Sequence, residues 1–276
     1  MLQYKYLQAN HKNRQKTGGE IMARITACCL QKGGTGKSTT SHALSAGLTA
    51  RGFKVLVIDT DPQGNLSYSM GSETDTKGLY EALNGESVVD IIQHTAQGDI
   101  ITSSSQLVGA DKIFTEFGME YLLSEALMPI KDNYDYIIID CPPQLGVLTI
   151  NALVASTDII IPITADLYAI QGLSQLLSNI EKVRRRPNPN LLINGILLTR
   201  YSSRSILSRD LKESIESRAS DMGTKVYNTI IRESVAIREA QTQRMSIFDY
   251  APASNPAQDY NDFIDEYLNE ESEKYG

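Results

Sequence analysis

The stretch Gln31-Lys32-Gly33-Gly34-Thr35-Gly36-Lys37-Ser38-Thr39 constrains this chain more than any other. It follows a short apolar run, Ile25 to Leu30. It precedes a segment of helical character, Ser38 to Ala50, which Arg51-Gly52 closes. Glycines let the backbone turn its N–H groups toward one point, and a helix start adds partial positive charge. Strand, glycine loop and helix together therefore make a phosphate cradle. In such a cradle Lys37 reaches the outer phosphates of a nucleotide and Ser38 offers its hydroxyl to Mg2+. The loop departs from the common GxxxxGK[ST] pattern, because Gln31 stands where the first glycine belongs. A second lysine, Lys32, stands at the loop entrance. From there it does not easily curl back onto phosphates held by its own loop; it is placed to reach those held by a partner chain.

Further apolar runs repeat the strand-then-helix alternation. Val55 to Ile58 ends at Asp59, and Tyr136 to Ile139 ends at Asp140. Asp158 to Ile163 and Ile193 to Leu198 are two more, and Asp99 to Thr102 is a weaker one. Near-continuous apolar strands separated by spans long enough for crossover helices predict an α/β fold: a mostly parallel twisted sheet with helices on both faces. Ligands in such sheets bind beyond the carboxyl ends of the strands. Asp59, Asp61 and Asp140 stand at those ends, beside the glycine loop, where Mg2+ finds oxygen ligands and an attacking water finds a base. Pro256 to Tyr275 reads as an acidic helix, with Tyr260, Phe263, Ile264, Tyr267 and Leu268 at helical spacing.

Composition narrows the class. The 276 residues are 41% apolar and 21% charged, which excludes a wholly disordered chain. No apolar stretch approaches the ~20 residues that span a bilayer, and the N-terminus has no signal-peptide pattern. Cys28, Cys29 and Cys141 show no CxxC spacing, so neither a disulfide scaffold nor a zinc site is expected, and a reducing cytoplasm is. Net charge is −7, but Lys182 to Arg244 holds 13 basic against 6 acidic residues. Residues 1–22 form a separate basic arm (Lys5, Lys12, Arg14, Lys16), and residues 23–276 are read as one P-loop ATPase domain. Gly18-Gly19-Glu20-Ile21 before Met22 fits either a flexible joint or a second translation start at Met22.

These residues resemble the deviant Walker A ATPases, and within them the ParA family of DNA partitioning ATPases, of the small plasmid type. The resemblance runs from about Arg24 to Tyr260. It rests on Lys32 to Thr39, on Val57-Ile58-Asp59-Thr60-Asp61-Pro62-Gln63-Gly64-Asn65, and on Tyr134 to Pro143. Leu197 to Tyr201, Ile231 to Ala240 and Phe248 to Pro252 add to it. What the resemblance implies is an ATPase, weak alone, whose ATP-bound homodimer binds DNA without sequence preference and is reset by a centromere-binding partner. Lys37 would be the Walker lysine, and Lys32 the signature lysine reaching across an ATP-sandwich dimer. Gly33, Gly34, Thr35 and Gly36 would cradle the phosphates, and Thr39 would contact the α-phosphate. Ser38 would hold Mg2+, with Asp59 and Asp140 acting on the ion through water, and Asp61 would position the hydrolytic water. DNA is expected on the basic segment at Arg204, Arg232 and Arg238, with Arg200 and Arg244 behind them. A cytoplasmic, nucleoid-associated protein follows. Family members often carry proline where Ile231 stands, so that loop is expected to differ, and 22 residues are too few for an N-terminal helix-turn-helix domain.

Three relatives of the same fold compete. A MinD-like cell-division ATPase at the membrane needs a basic amphipathic C-terminal helix, whereas the last 18 residues hold seven acidic groups and one lysine. An iron–sulfur carrier needs cluster cysteines between subunits. A tyrosine kinase needs a terminal tyrosine cluster, and the 14 tyrosines here are scattered.

Overall fold

The computed structural model describes residues 23–73, 75–202 and 206–275. The basic arm 1–22 and Arg204 lie outside the described residues. Among the described residues eight strands form one sheet: β1 (Arg24–Cys28), β2 (Val55–Asp59), β3 (Gln93–Thr95), β4 (Gly98–Ile101), β5 (Tyr136–Asp140), β6 (Asp158–Thr164), β7 (Leu192–Tyr201) and β8 (Val226–Arg232). Their order is β3-β4-β2-β5-β1-β6-β7-β8, parallel throughout except for the β3–β4 hairpin. The longer helices are α1 (Lys37–Ala50), α2 (Val147–Ala155), α3 (Leu167–Arg185), α4 (Ile206–Asp221), α5 (Val235–Thr242) and α6 (Asn255–Tyr275). The mostly parallel α/β architecture expected from the alternating runs is the one observed.

Strand periodicity divides the core. Ile137 and Ile139 of β5 face one layer with Leu148 and Ala152 of α2 and Leu173 and Leu176 of α3. Tyr136 and Ile138 face the other, with Leu44 and Leu48 of α1 and Phe263, Ile264 and Tyr267 of α6. The three isoleucines of β5 are fully buried, and each such side chain contributes about 1.5–3 kcal/mol. With both faces covered, the middle residues of β2, β5 and β6 are apolar in succession, which is why these strands are legible as runs. The C-terminal helix packs on its expected stripe, and the three cysteines are buried free thiols.

Two strands have no apolar run to announce them. β3 is a three-residue antiparallel edge strand, and β8 is an edge strand of mixed burial. Glu266 of α6 accepts the backbone N–H groups of Asn228 and Thr229 at 2.8 and 3.0 Å, covering part of the β8 edge. No described helix is long and apolar enough to cross a membrane.

Parallel register fixes the site. Cys28, at the end of β1, pairs with Asp140 at the end of β5, and Asp140 pairs with Asp59 at the end of β2. The glycine loop and both carboxylates thus leave the sheet at one edge.

Candidate nucleotide site

Gly34 and Gly36 adopt φ of 76° and 85°, and Gly36 is the N-cap of α1. A side chain at either position would be strained in this left-handed conformation. At Gly36 a Cβ would also lie 3.5 Å from Thr199. The end of β7 clamps the loop: Thr199 Oγ1 donates to Thr35 O at 2.7 Å, and the Arg200 guanidinium donates to Gly34 O at 3.2 Å. Lys37 is buried, and its ammonium donates to Lys32 O at 2.9 Å.

Asp140 is fully buried, and Ser41 Oγ donates to its Oδ1 at 3.1 Å. Ser38 and Lys37 also face this carboxylate, whose Oδ2 has no hydrogen-bond partner. Burial, and then the neighbouring Asp59 carboxylate, push its pKa well above the ordinary range. An orphaned buried oxygen beside a serine hydroxyl fits a hydrated divalent cation, which would favour the ionised form.

Asp59, expected to act on Mg2+ through water, is hydrogen-bonded within its own turn. Its Oδ2 accepts from Ser67 N at 2.8 Å and Ser67 Oγ at 2.7 Å, and its Oδ1 accepts from Asp61 N at 3.1 Å. The carboxylate thus helps to shape the 59–67 turn. Burial again raises its pKa, opposed by these hydrogen bonds. That turn aims Asp61, whose Oδ1 accepts from Gln63 N at 3.0 Å. Asp61 lines an open cavity of about 560 Å3 together with Gly33, Lys37, Ser38, Thr39 and Arg238. A second cavity of about 230 Å3 lies against Gly34, Gly36 and Thr39, with walls from Ile231, Ile237 and Tyr260. Its partly apolar walls beside a phosphate cradle suit a flat heterocyclic base.

The arginines expected on DNA separate into two groups. Arg232 is locked to Asp259 of α6, with Nε at 3.0 Å and the backbone N–H at 2.9 Å from Oδ2. Arg200 is tied to Gly34 O and to Glu233 Oε1 at 2.8 Å. Both join elements of this chain while staying about half exposed, at 52% for Arg200 and 49% for Arg232. Arg238 is exposed on α5. Arg244, also exposed, has φ of 53° and stacks over Tyr68 with its Cζ 4.4 Å from the ring centroid.

Thr199, Ser41, Gln241, Ile237 and Tyr260 do not stand out in the sequence as site residues. Gln241 donates to Thr39 Oγ1 at 3.1 Å, linking α5 to the phosphate loop. Thr199 and Ile237 fall inside stretches of family resemblance, which is the one signal the sequence offers for them.

A family profile described as AAA domain matches residues 23–193. The sporulation initiation inhibitor protein Soj of Bacillus subtilis is 41% identical over 251 residues, covering 89% of this chain and 98% of Soj. The chain belongs to the ParA/MinD family of deviant Walker A ATPases. The chromosome partitioning protein ParA of Caulobacter vibrioides is 40% identical over 228 residues, covering 79% of this chain and 83% of that protein. Among solved structures, cobyrinic acid a,c-diamide synthase from Mycobacterium smegmatis with bound ADP and magnesium superimposes with a TM-score of 0.77. It is 33% identical, over 88% of this chain and 93% of that one. A plasmid partition protein from Borrelia burgdorferi bound to AMPPNP shares the fold, with a TM-score of 0.76 and 24% identity over 90% of this chain and 99% of that one. This ParA/MinD-family member is an ATP-hydrolysing enzyme whose cofactors are ATP and Mg2+, and the family trait is dimerisation with partner-stimulated turnover.

Proposed function

We propose that residues 23–276 form one ATPase domain that segregates DNA: its ATP-bound homodimer holds DNA non-specifically, and a centromere-binding partner triggers the hydrolysis that releases it. One observation carries this reading. Arg238, an exposed arginine of the basic segment, lines the same cavity as Lys37, Ser38 and Asp61. Its helix also bonds the phosphate loop through Gln241 and Thr39. A change at the phosphates is therefore felt by the helix that carries Arg238 through direct contacts.

In the proposed mechanism the loop N–H groups of Gly33 to Gly36 and the Lys37 ammonium bind the phosphates, and Thr39 lies beside them. Ser38 and the open oxygen of Asp140 would hold a hydrated Mg2+, whose charge would offset that of the nucleotide phosphates. Asp61 orients the attacking water from a turn fixed by Asp59. Lys32 reaches the phosphates of a second copy. DNA phosphates meet Arg238 and Arg244, doubled in the dimer, and nucleoid association follows from that contact. Arg204 belongs to the proposal through the sequence alone. The acidic α6 gives no support to a membrane-bound MinD-like role.

The test is filter binding of duplex DNA across a salt series, with ATP and with ADP, alongside ATPase rates with and without DNA. Affinity is expected only with ATP and to fall steeply with salt; each DNA phosphate that the protein neutralises adds about 1 to the steepness of the log–log slope. Arg238→Glu is expected to abolish retention, and because Arg238 lines the nucleotide cavity, equilibrium dialysis with ATP separates lost DNA contact from lost nucleotide binding. Equal retention with ADP, or full retention by Arg238→Glu, would refute the DNA assignment.

A further inference from the structure

The Lys32 side chain has a partner within its own chain, at the far end of β6. Both oxygens of Asp166 lie 2.5 Å from its ammonium. Thr164 Oγ1 donates to the same carboxylate, and Asp166 N donates back to Thr164 O at 2.8 Å, so a turn fixes the carboxylate. On the other side, Lys32 N donates to Leu30 O at 2.8 Å, which fixes the loop entrance. The two ends are also packed together: a Cβ at Gly172 of α3 would lie 2.9 Å from Gln31 O. Loop entrance and α3 therefore approach closely, with no room for a side chain between them. β6 neighbours β1 in the sheet, which brings both turns to the edge where the phosphate loop sits.

We infer that Asp166 is a positioning residue for Lys32, holding its ammonium at the dimer-facing corner in the free chain and yielding it to nucleotide phosphates on a second copy. The inference rests on the trans role of Lys32 proposed above. Two features of the corner support it. The pair is half-exposed, with 27% and 37% side-chain exposure for Lys32 and Asp166, so the ammonium is neutralised without being sealed in. Beside it, Leu167 and Tyr168 are 69% and 76% exposed, and the Tyr168 ring centroid lies 6.0 Å from the ammonium. A second copy carrying polyphosphate fits this surface: apolar side chains to cover, and a cation to exchange one carboxylate for several phosphate oxygens. The exchange opposes dimerisation twice, once per subunit, so Asp166 sets how much nucleotide-bound protein is needed before dimers form.

Sedimentation equilibrium with a non-hydrolysable ATP analogue and Mg2+ tests this. Asp166→Asn is expected to tighten the dimer roughly three- to tenfold, since two half-exposed ion pairs no longer compete. Asp166→Glu, which keeps the charge, is expected to restore wild-type behaviour. In a Lys32→Ala background Asp166→Asn is expected to have no effect, because the carboxylate acts through the lysine. Thermal midpoints check folding, and Thr164→Val, which removes the carboxylate's hydroxyl support, is a second variant expected to shift dimerisation the same way. An unchanged or weaker dimer in Asp166→Asn, with Lys32→Ala still monomeric, overturns the role of Asp166 alone. Normal dimerisation of Lys32→Ala overturns the trans role itself.

Discussion

Asp59 and Asp61 stand two residues apart and do different work. Asp59 is fully buried and accepts from Asp61 N, Ser67 N and Ser67 Oγ, so it holds the turn that carries Asp61. Asp61 faces the cavity of the phosphate loop, so it acts on what binds there. Asp61→Ala is therefore expected to keep ATP binding and lose turnover. General-base and water-positioning groups contribute about 10²–10⁴-fold, and a hydrolysis assay should show a loss of that order. Lys37→Ala is expected instead to weaken nucleotide binding, read by equilibrium dialysis with ATP, because it removes charge from the phosphates in ground and transition state alike. Normal turnover in Asp61→Ala would remove it from the mechanism.

At the scale of elements, the packing of α1 against α6 decides how the P-loop helix is held. Gly47 sits inside α1, where glycine costs about 1 kcal/mol relative to alanine. The structure gives the reason: a Cβ there would lie 2.2 Å from Ile264 Cδ1, and Ile264 is fully buried. Arg51 bridges the same two helices, with Nη1 on Gly47 O at 3.0 Å and Nη2 on Asp265. Gly47→Ala is thus expected to destabilise despite its better helix propensity. Overpacking costs about 1–3 kcal/mol, and each net kcal/mol lowers the thermal midpoint by about 2–4 °C in a domain of this size. A raised midpoint would show that α6 yields. The β3–β4 hairpin makes another such link: Gln97 donates to Ser69 O and Arg244 O, and its Oε1 meets His42 Nε2 at 2.6 Å. It joins the P-loop helix, the turn after Asp61 and the loop that carries Arg244.

For the molecule as a whole, two buried carboxylates at adjacent strand ends make stability depend on pH. Asp59 and Asp140 both have pKa values raised in the folded chain, chiefly by burial. The folded state therefore holds protons that the unfolded chain has released, and stability falls as pH rises through the folded pKa values. His42 is shifted the other way by burial, so its contribution is confined to acid conditions. Above that range the carboxylates dominate. The urea midpoint of the nucleotide-free protein is expected to fall from neutral to mildly alkaline pH. Mg2+ with an ATP analogue is expected to flatten that slope, since a nearby cation favours the ionised carboxylate. A midpoint that rises with pH in the nucleotide-free protein would contradict the placement of this pair.

What the sequence determined by itself was whatever is written in consecutive residues. The glycine loop, the apolar runs of β2, β5 and β6, and the carboxylates that end β2 and β5 are local patterns, because a strand covered on both faces favours successive apolar residues and a phosphate cradle needs closely spaced glycines. The stripe of α6 was legible for the same reason, as a helical period. Tertiary structure alone decided the partners. Lys32 meets Asp166 across 134 positions, Thr35 meets Thr199 across 164, and Arg232 meets Asp259 across 27. The same holds for β8, an edge strand with no continuous run, recognisable only from the β7 and α6 surfaces that flank it. A charged side chain carries no mark of whether it will face solvent, a ligand or its own chain; that depends on which surfaces the sheet order brings to one edge.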